Sequence, residues 1–507
     1  MDNSQENNKR IAKNTLLLYF RMILTMVVSL YTSRVILNEL GVEDFGIYNI
    51  VAGVVVLFSF ISNSMVTSTQ RYLSVEIGKD NTDGIQNVFS TSLISHLILV
   101  FIILVVAETV GLWFVNSCLD IPEHRMMTTN YVYQLSVITT CFNIIRIPYS
   151  ASIVANEKMD FYAYISIIEV VLKLLIAWAL MISLGDKLIV YSILLLLVVV
   201  LIDICHFYYC NRKLKSNKFI LKIDKLLLKE MTSFSGWNLF GGIADVGYKQ
   251  GVNILLNIYY GVTVNAALGV SNQVRNAVFS FVTNLQMAAN PQIIKSYATC
   301  NYAYFESLVF RISKYSYYLM ILITIPLIFN IDLILNLWLK NPPLYTSEFV
   351  VLSLVFCQID TLTGPQWVAM QASGKIKKYQ VVTSILLLLN LPISFIFLQL
   401  GFSPSSVLYV QILVTLVTLL VRLLFARVFL SISIKSYFKG VVLPIILVTL
   451  TSLILPVYVY LHTDGYTRLL LSFISLLYIA LCMFVFGTSL NERRLVLEYI
   501  KHKVFKR

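Results

Sequence analysis

Charge is scarce in this chain of 507 residues: Asp, Glu, Lys and Arg make up 13%, against 58% hydrophobic residues. A soluble fold of that length needs more polar surface, so a soluble protein is excluded. Metal-binding chemistry is equally thin. There are 5 histidines and 7 cysteines, the latter at Cys118, Cys141, Cys205, Cys210, Cys300, Cys357 and Cys482, with no HExxH and no clustered Cys/His set. Zinc chemistry needs such spacing, and cysteines inside apolar runs read as small hydrophobes. No GxxxxGK[ST] loop is present to cradle a nucleotide phosphate. No nucleophile–base pair or acidic metal cluster stands out, so neither an enzyme nor a cofactor is expected. The 11 prolines and 20 glycines suggest no disordered arm.

What the chain has is length in hydrocarbon. Apolar runs of about 20 residues, the helical-span signal, recur near 12–37, 43–66, 86–114, 129–154, 161–184, 187–210, 232–258, 264–290, 312–330, 347–371, 378–400, 404–429, 440–461 and 466–486. The first is too long for a signal peptide, lacks a small-residue cleavage site and contains Arg21 and Arg34, so it reads as a retained span. The fold class is an all-α integral membrane protein of about fourteen spans. Pro148, Pro326, Pro365, Pro392 and Pro444 are candidate kinks.

The formal charge of +13 is distributed by loop. With the N-terminus inside, the inner segments hold nearly all the extramembrane Lys and Arg, and the outer loops hold only Arg125, Lys187, Lys340 and Arg468. That asymmetry orients both termini to the cytoplasm, supports an even span count and makes a nucleic-acid partner unnecessary. The basic stretch Asn211 to Glu230, with Leu221, Ile223, Leu226, Leu227 and Leu228, reads as a linker containing an amphipathic helix; the tail from Leu490 to Arg507 has the same character. Each either touches anionic headgroups or is a solvated flank. The linker divides the chain into an N-lobe of spans one to six (1–210), the linker (211–230), a C-lobe of spans seven to twelve (231–430) and two further spans with the basic tail (431–507). Leu37-Asn38 before Gly41-Val42 and Leu256-Asn257 before Gly261-Val262 mark an internal repeat of 220 residues, parallel because each half has the same number of spans.

Seven bases lie inside the spans: Arg21, Arg34, Arg146, Lys173, Lys249, Arg275 and Arg422. A charge near the bilayer centre costs roughly 2.5–3.5 kcal/mol on insertion scales, so such residues face a cavity, a partner or a substrate. Arg34, Arg146 and Arg422 lie towards span ends, where snorkelling is an alternative. Glu169–Lys173 and Asp245–Lys249 are each spaced i, i+4 on one helix face. Each is either a self-neutralised pair or, for Asp245, an ion-binding acid that releases Lys249 to a substrate. Asp203 and Asp360 are lone acids, candidates for a coupling ion or for pairing with a base. Asp360 precedes Thr361, Thr363, Gly364 and Pro365, where a helix break is expected. Arg275 sits in the polar run Ser271-Asn272-Gln273-Val274-Arg275-Asn276, too polar for lipid. Forked guanidinium donors suit phosphate oxygens.

The opening Lys9-Arg10-Ile11-Ala12-Lys13-Asn14-Thr15, then Ser33-Arg34-Val35-Ile36-Leu37 and Leu40-Gly41-Val42-Glu43-Asp44-Phe45-Gly46-Ile47-Tyr48, resembles the N-terminus of bacterial polysaccharide-biosynthesis flippases. These are the O-antigen and capsule-unit translocases of the multidrug/oligosaccharidyl-lipid/polysaccharide exporter superfamily. The resemblance implies two pseudo-symmetric six-helix lobes plus two C-terminal helices, alternating access in the inner (plasma) membrane, and an undecaprenyl-diphosphate-linked oligosaccharide as cargo, a lipopolysaccharide or capsule unit. It also implies a polysaccharide polymerase and assembly proteins as partners. In related peptidoglycan-precursor flippases, arginines of spans one and eight bind diphosphate. Arg21 and Arg275 occupy comparable spans and are expected to meet across the cavity, with Lys249 and Arg34 assisting. Asp245, Asp360, Asp203 and Glu169 are the candidates to couple H⁺ or Na⁺. A multidrug antiporter of the same fold is the alternative reading, and its acidic, aromatic cavity fits seven interior bases less well.

Overall fold

A computed structural model describes residues 3–117, 121–183, 185–214, 219–220, 224–339, 342–488 and 493. Among them there are helices and no strand. In chain order they are α1 (Asn3–Gly78), α2 (Thr82–Val106), α3 (Leu112–Ser117), α4 (Met126–Ala155), α5 (Met159–Ile182), α6 (Lys187–Lys213), α7 (Lys225–Ala298), α8 (Tyr302–Phe329) and α9 (Ile331–Leu339). Then follow α10 (Thr346–Asp360), α11 (Thr363–Ser373), α12 (Ile376–Leu388), α13 (Asn390–Gln399), α14 (Ser406–Leu430), α15 (Ile434–Tyr437), α16 (Leu443–His462) and α17 (Gly465–Cys482). Phe20, Phe101, Leu424 and Leu477 are among many large apolar side chains left exposed, the expected surface of a protein whose solvent is hydrocarbon.

Eleven helical stretches among the described residues are long and apolar enough to cross a membrane, fewer than the fourteen expected. The expected spans 43–66, 232–258 and 264–290 are not separate among them. The first lies within α1 and the other two within α7. Those last two carry Asp245, Lys249, Asn272, Arg275 and Asn276. Polar residues lower the mean hydropathy of a helix whose polar face is turned away from lipid.

Helices α1 and α7, of 76 and 74 residues, each contain one non-helical residue, at Gly41 (φ 77°, ψ 171°) and Gly261 (φ 77°, ψ −171°). That region of backbone space is open essentially to glycine alone. A Cβ at either position would meet no neighbour within 4 Å, so the requirement is torsional, not steric. The two breaks belong to a wider register. Helices α2, α4, α5 and α6 start at residues 82, 126, 159 and 187, and α8, α10, α12 and α14 at 302, 346, 376 and 406, a constant offset of 217 to 220 residues. Left-handed residues recur at that offset outside glycine too, at Asp80 and Cys300. Two pseudo-symmetric six-helix lobes followed by α16 and α17 account for the chain.

The chain forms two compact units. Unit 1 comprises Met1–Leu239 with Ala288–Asn301, and unit 2 comprises Phe240–Met287 with Tyr302–Arg507. The core of unit 1 joins Leu40, Val51, Ile103, Val132, Tyr133, Leu180 and Ile202. Polar locks sit at both ends of its α4. Beyond the C-terminal end, Glu157 holds a left-handed conformation (φ 59°). Its carboxylate, 1% exposed, accepts from Arg10 Nε (2.7 Å), Lys295 Nζ (2.6 Å) and Gln292 Nε2 (2.8 Å). A buried carboxylate is stable only when compensated in this way. At the N-terminal end Arg125 bridges Asp44 (2.5 Å) and Asp186 (2.8 Å), and Lys187 pairs with Glu39 (2.8 Å). Burial alone would raise the Asp186 carboxyl, but hydrogen bonds from Arg125 and Thr128 outweigh it and hold the group below its ordinary range.

In unit 2, α10 ends at Asp360 and α11 begins at Thr363, the break expected from the sequence. The freed Thr361 carbonyl accepts from Gln286 Nε2 at 3.1 Å. A Cβ on Gly364 would fall 2.2 Å from Gln286 Oε1, so the glycine admits the side chain that repairs the break. Helices α16 and α17 are fixed on α8 through Tyr318 Oη to the Gly487 carbonyl (3.1 Å) and through Asn330 Nδ2, just beyond α8, to Ser472 Oγ (2.7 Å). The Leu226–Leu228 part of the basic linker is the first turn of α7, capped by Asp224, which accepts from the Leu226 and Leu227 amides at 3.0 Å. Leu221, Ile223 and the tail from Leu490 lie outside the described residues, except Arg493.

Gly261→Ala is expected to cost about 1–3 kcal/mol through backbone strain, whereas Gly247→Ala, at another position with no neighbour within 4 Å of a Cβ, is expected to leave stability unchanged or raise it. Thermal unfolding of the two purified variants in detergent checks this. Equal melting temperatures would refute the torsional requirement.

Candidate functional site

The polar residues of unit 2 converge because each helix repeats them at its own period. Asp245, Tyr248 and Lys249 lie at i, i+3 and i+4 on α7, before its break. Asn272, Arg275, Asn276 and Phe279 lie at i, i+3, i+4 and i+7 after it. Gln411, Thr415, Thr418 and Arg422 follow at spacings of 4, 3 and 4 along α14. Each set forms one stripe on one helix face. Asp360 enters from the broken end of α10.

Together they enclose a cavity of about 160 Å³, lined by residues including Asp245, Lys249, Arg275, Phe356, Asp360 and Arg422. A second cavity of about 180 Å³ shares Tyr248, Lys249, Arg275 and Asn276 with it. In the first, Lys249 Nζ bonds Asp245 Oδ2 at 2.7 Å. Thr363 Oγ1 donates to Asp360 Oδ1 at 3.0 Å, and Arg422 and Lys249 act electrostatically on that carboxyl. Arg422 donates to Tyr379 Oη at 2.5 Å and lies 5.4 Å from its ring centroid. Arg275 stands 5.9 Å from the Phe356 ring centroid and forms no ion pair among the described residues. Three bases therefore face two acids, and one guanidinium keeps its donors for something else. The cavity can hold an anion at the bases and exchange a cation at the acids.

Of the candidates named from sequence, Lys249, Arg275, Asp245 and Asp360 come together here. Arg422 joins them, although its position near a span end had pointed to snorkelling. The signal that places it is the stripe of Gln411, Thr415 and Thr418 on the same face. Arg146 likewise turns inward, with its NH1 3.4 Å from Asp203 Oδ1 in unit 1. Glu169 pairs with Lys173 at 2.7 Å in the same unit and acts electrostatically on both Asp203 and His206. Arg21, also in unit 1, lies 4.9 Å from the Tyr162 ring centroid. The side chain of Arg34 lies outside the described residues. Among the described residues no group of three or more His, Cys, Asp or Glu is arranged to hold a metal ion.

The repeat separates scaffold from site. Gly41 and Gly261 keep their identity across the offset. The cavity charges do not: opposite Asp245, Lys249, Arg275, Asp360 and Arg422, unit 1 carries Thr25, Ser29, Val55, Thr140 and Asp203 at the matching register. The fold does not require these charges in both lobes: four of the five positions are uncharged in unit 1, and the fifth, opposite Arg422, carries the acid Asp203.

The chain is thus a two-lobed helical membrane protein with a charged cavity inside one unit. Solved structures with the same fold include a MATE protein in complex with MaL6 (TM-score 0.70, 13% identity, covering 84% of this chain and 98% of that one). An outward-facing multidrug resistance MATE transporter of the MOP superfamily matches with a TM-score of 0.71 at 13% identity and the same coverages. A MOP-superfamily transporter from Pyrococcus furiosus, described by the reverse polarity of its binding pocket, matches with a TM-score of 0.69 at 13% identity, again over 84% and 98%. At these identities the likeness is one of fold. The polysaccharide biosynthesis protein family model matches residues 11–297, more than half of the sequence, and the chain belongs to that family. No curated protein matches it in sequence.

A cysteine placed at Asn276 in a cysteine-free background is expected to react several-fold faster with an anionic sulfonate thiosulfonate than with a cationic trimethylammonium one, because the local field is basic. Labelling rates in detergent measure this. A faster cationic reagent would mean that Asp245 and Asp360 dominate the cavity.

Proposed function

We propose that the protein is a flippase that moves undecaprenyl-diphosphate-linked oligosaccharide units across the bacterial inner membrane by alternating access, for O-antigen or capsule biosynthesis. Membership of the polysaccharide biosynthesis family and the MOP-superfamily fold support the transporter class. The observation that carries the anionic cargo is Arg275: a guanidinium in a cavity of unit 2 with no ion-pair partner among the described residues. A pair of phosphate oxygens is a ligand that such a fork matches in bidentate fashion. Arg21 and Arg34 are proposed as further substrate-binding residues.

Lys249 supplies the exchange step. It rests on Asp245 at 2.7 Å. When a phosphate takes the ammonium, Asp245 loses its counter-charge and takes H⁺ or Na⁺ instead. Release of that cation returns Lys249 to Asp245 and expels the anion. Asp360 serves the same cavity, Asp203 and Glu169 are proposed as coupling acids of unit 1, and the membrane potential contributes or acts alone. The protein makes and breaks no covalent bond in this cycle, and it hands its cargo to a polysaccharide polymerase and assembly proteins. The excess of Lys and Arg in alternate loops supports cytoplasmic termini.

A cation-coupled multidrug antiporter is the second reading, and Asp245 and Asp360 in the same cavity favour it. The balance of three bases to two acids, with no ion pair to Arg275 among the described residues, favours the first.

Reconstitution with a fluorescent lipid-diphosphate sugar tests the proposal. Arg275→Ala is expected to abolish translocation while leaving expression and monodispersity intact, and Arg275→Lys to keep part of the rate. Normal translocation by Arg275→Ala would remove the residue from the mechanism, and drug-cation efflux without any lipid flipping would establish the second reading.

A further inference from the structure

The two cavities of unit 2 share Tyr248, Lys249, Arg275 and Asn276 but differ in what completes them. The 160 Å³ cavity adds Asp245, Asp360 and Arg422. The 180 Å³ cavity adds Asn253, Asn272 and Gln411, with Val252, Leu268 and Leu408, and contains no acid. Lys249 and Arg275 are thus a common wall between an acid-bearing compartment and an acid-free one. An anion bound to that wall meets two carboxylates on one side and neutral amides on the other. Coulomb repulsion in a low-dielectric interior directs it to the amide side.

The amides have a chemistry of their own. Each offers a carbonyl acceptor and two N–H donors at fixed positions, complementary to a ring of hydroxyls or to an acetamido group. Gln411, buried, donates from Nε2 to Tyr248 Oη, which fixes the orientation of both side chains. The side chains of Asn272 and Asn276 make no hydrogen bond among the described residues. Val252, Leu268 and Leu408 give an apolar wall suited to the C–H faces of a pyranose. At the matching register unit 1 has Ser33, Ala52, Val56 and Ser192 in place of Asn253, Asn272, Asn276 and Gln411, so the amide set is not a requirement of the repeated fold.

We infer that the acid-free compartment is a binding site for a neutral sugar residue, with Asn272, Asn276 and Gln411 reading its hydroxyl or acetamido groups while Lys249 and Arg275 hold the adjoining phosphate. The inference rests on the flippase reading and adds the site of glycan recognition to it. In this arrangement the amides set which glycan is accepted, and the bases set whether any lipid diphosphate is accepted. A site built around hydrogen bonds discriminates by leaving its own polar groups unpaired when the wrong ligand enters.

The test is retention of defined lipids by the full-length protein, read by native mass spectrometry. The probes are undecaprenyl diphosphate bare and bearing glucose, galactose, N-acetylglucosamine or N-acetylgalactosamine. Wild type is expected to retain at least one glycosylated lipid roughly fivefold or more above the bare one, the worth of one or two hydrogen bonds. Asn272→Ala, which lines the acid-free compartment only, is expected to lower that ratio towards one with bare-lipid retention unchanged, which also shows that the variant is folded. A ratio unchanged in Asn272→Ala, or no wild-type preference for any sugar, would overturn the inference and leave the flippase reading standing. Failure of wild type to retain the bare diphosphate would overturn both.

Discussion

A cation enclosed by helices away from water must be compensated by a carboxylate, by polar surroundings or by a bound anion. That constraint sorts the bases of this protein, those at the helix ends first and those within the spans after them. Arg10 and Lys295 converge on Glu157, Arg125 on Asp44 and Asp186, Arg146 on Asp203, Lys173 on Glu169 and Lys249 on Asp245. Arg422 leans on Tyr379. Arg275 is left with an aromatic face and a cavity. Most of the interior charge is thereby structural, and the function is narrowed to where compensation is incomplete. The pairs nonetheless differ in kind. Glu157 is 1% exposed and bound on several sides, a lock. The Lys249 and Asp245 side chains are 42% and 44% exposed, and an exposed i, i+4 pair contributes little stability, so it is free to exchange partners.

The internal repeat gives an independent criterion. Duplicated lobes solve the same packing problem twice, so features required by packing recur. The glycine breaks, the left-handed turns and the helix starts do recur at 217 to 220 residues. The cavity charges and the amides beside them do not. Incomplete compensation and absence of a charged counterpart in the other lobe coincide at Lys249 and Arg275 on α7.

The fold was largely legible in the sequence. Apolar runs gave the spans, Gly41-Val42 and Gly261-Val262 gave the repeat, and Thr361 to Pro365 gave the broken helix. The expected spans 232–258 and 264–290 both fall within α7 and are not among the eleven apolar stretches, because their polar residues lower the mean hydropathy. The opening resembled the family to which the chain proves to belong. The site was legible in part. Asp245, Lys249, Arg275 and Asp360 were all selected, since ionisable residues in apolar runs are conspicuous. For Arg146 and Arg422, near span ends, snorkelling was the favoured alternative, whereas in the structure Arg146 faces Asp203 and Arg422 lines the cavity. Depth along a helix does not say which way a side chain faces. The polar stripe ending at Arg422 does, and it was present in the sequence.

Lys249 and Arg275 stand between acids and amides. In the proposed cycle that position would couple cation exchange on one side to glycan-lipid binding on the other. The claim on which everything else rests is that this wall binds a lipid diphosphate. The most direct measurement is the affinity of the purified protein for undecaprenyl diphosphate, with competition by a lipophilic cation and by inorganic pyrophosphate. The account predicts binding that pyrophosphate displaces, that the cation leaves untouched, and that neutralising Lys249 weakens. Binding displaced by the lipophilic cation and insensitive to pyrophosphate would contradict it.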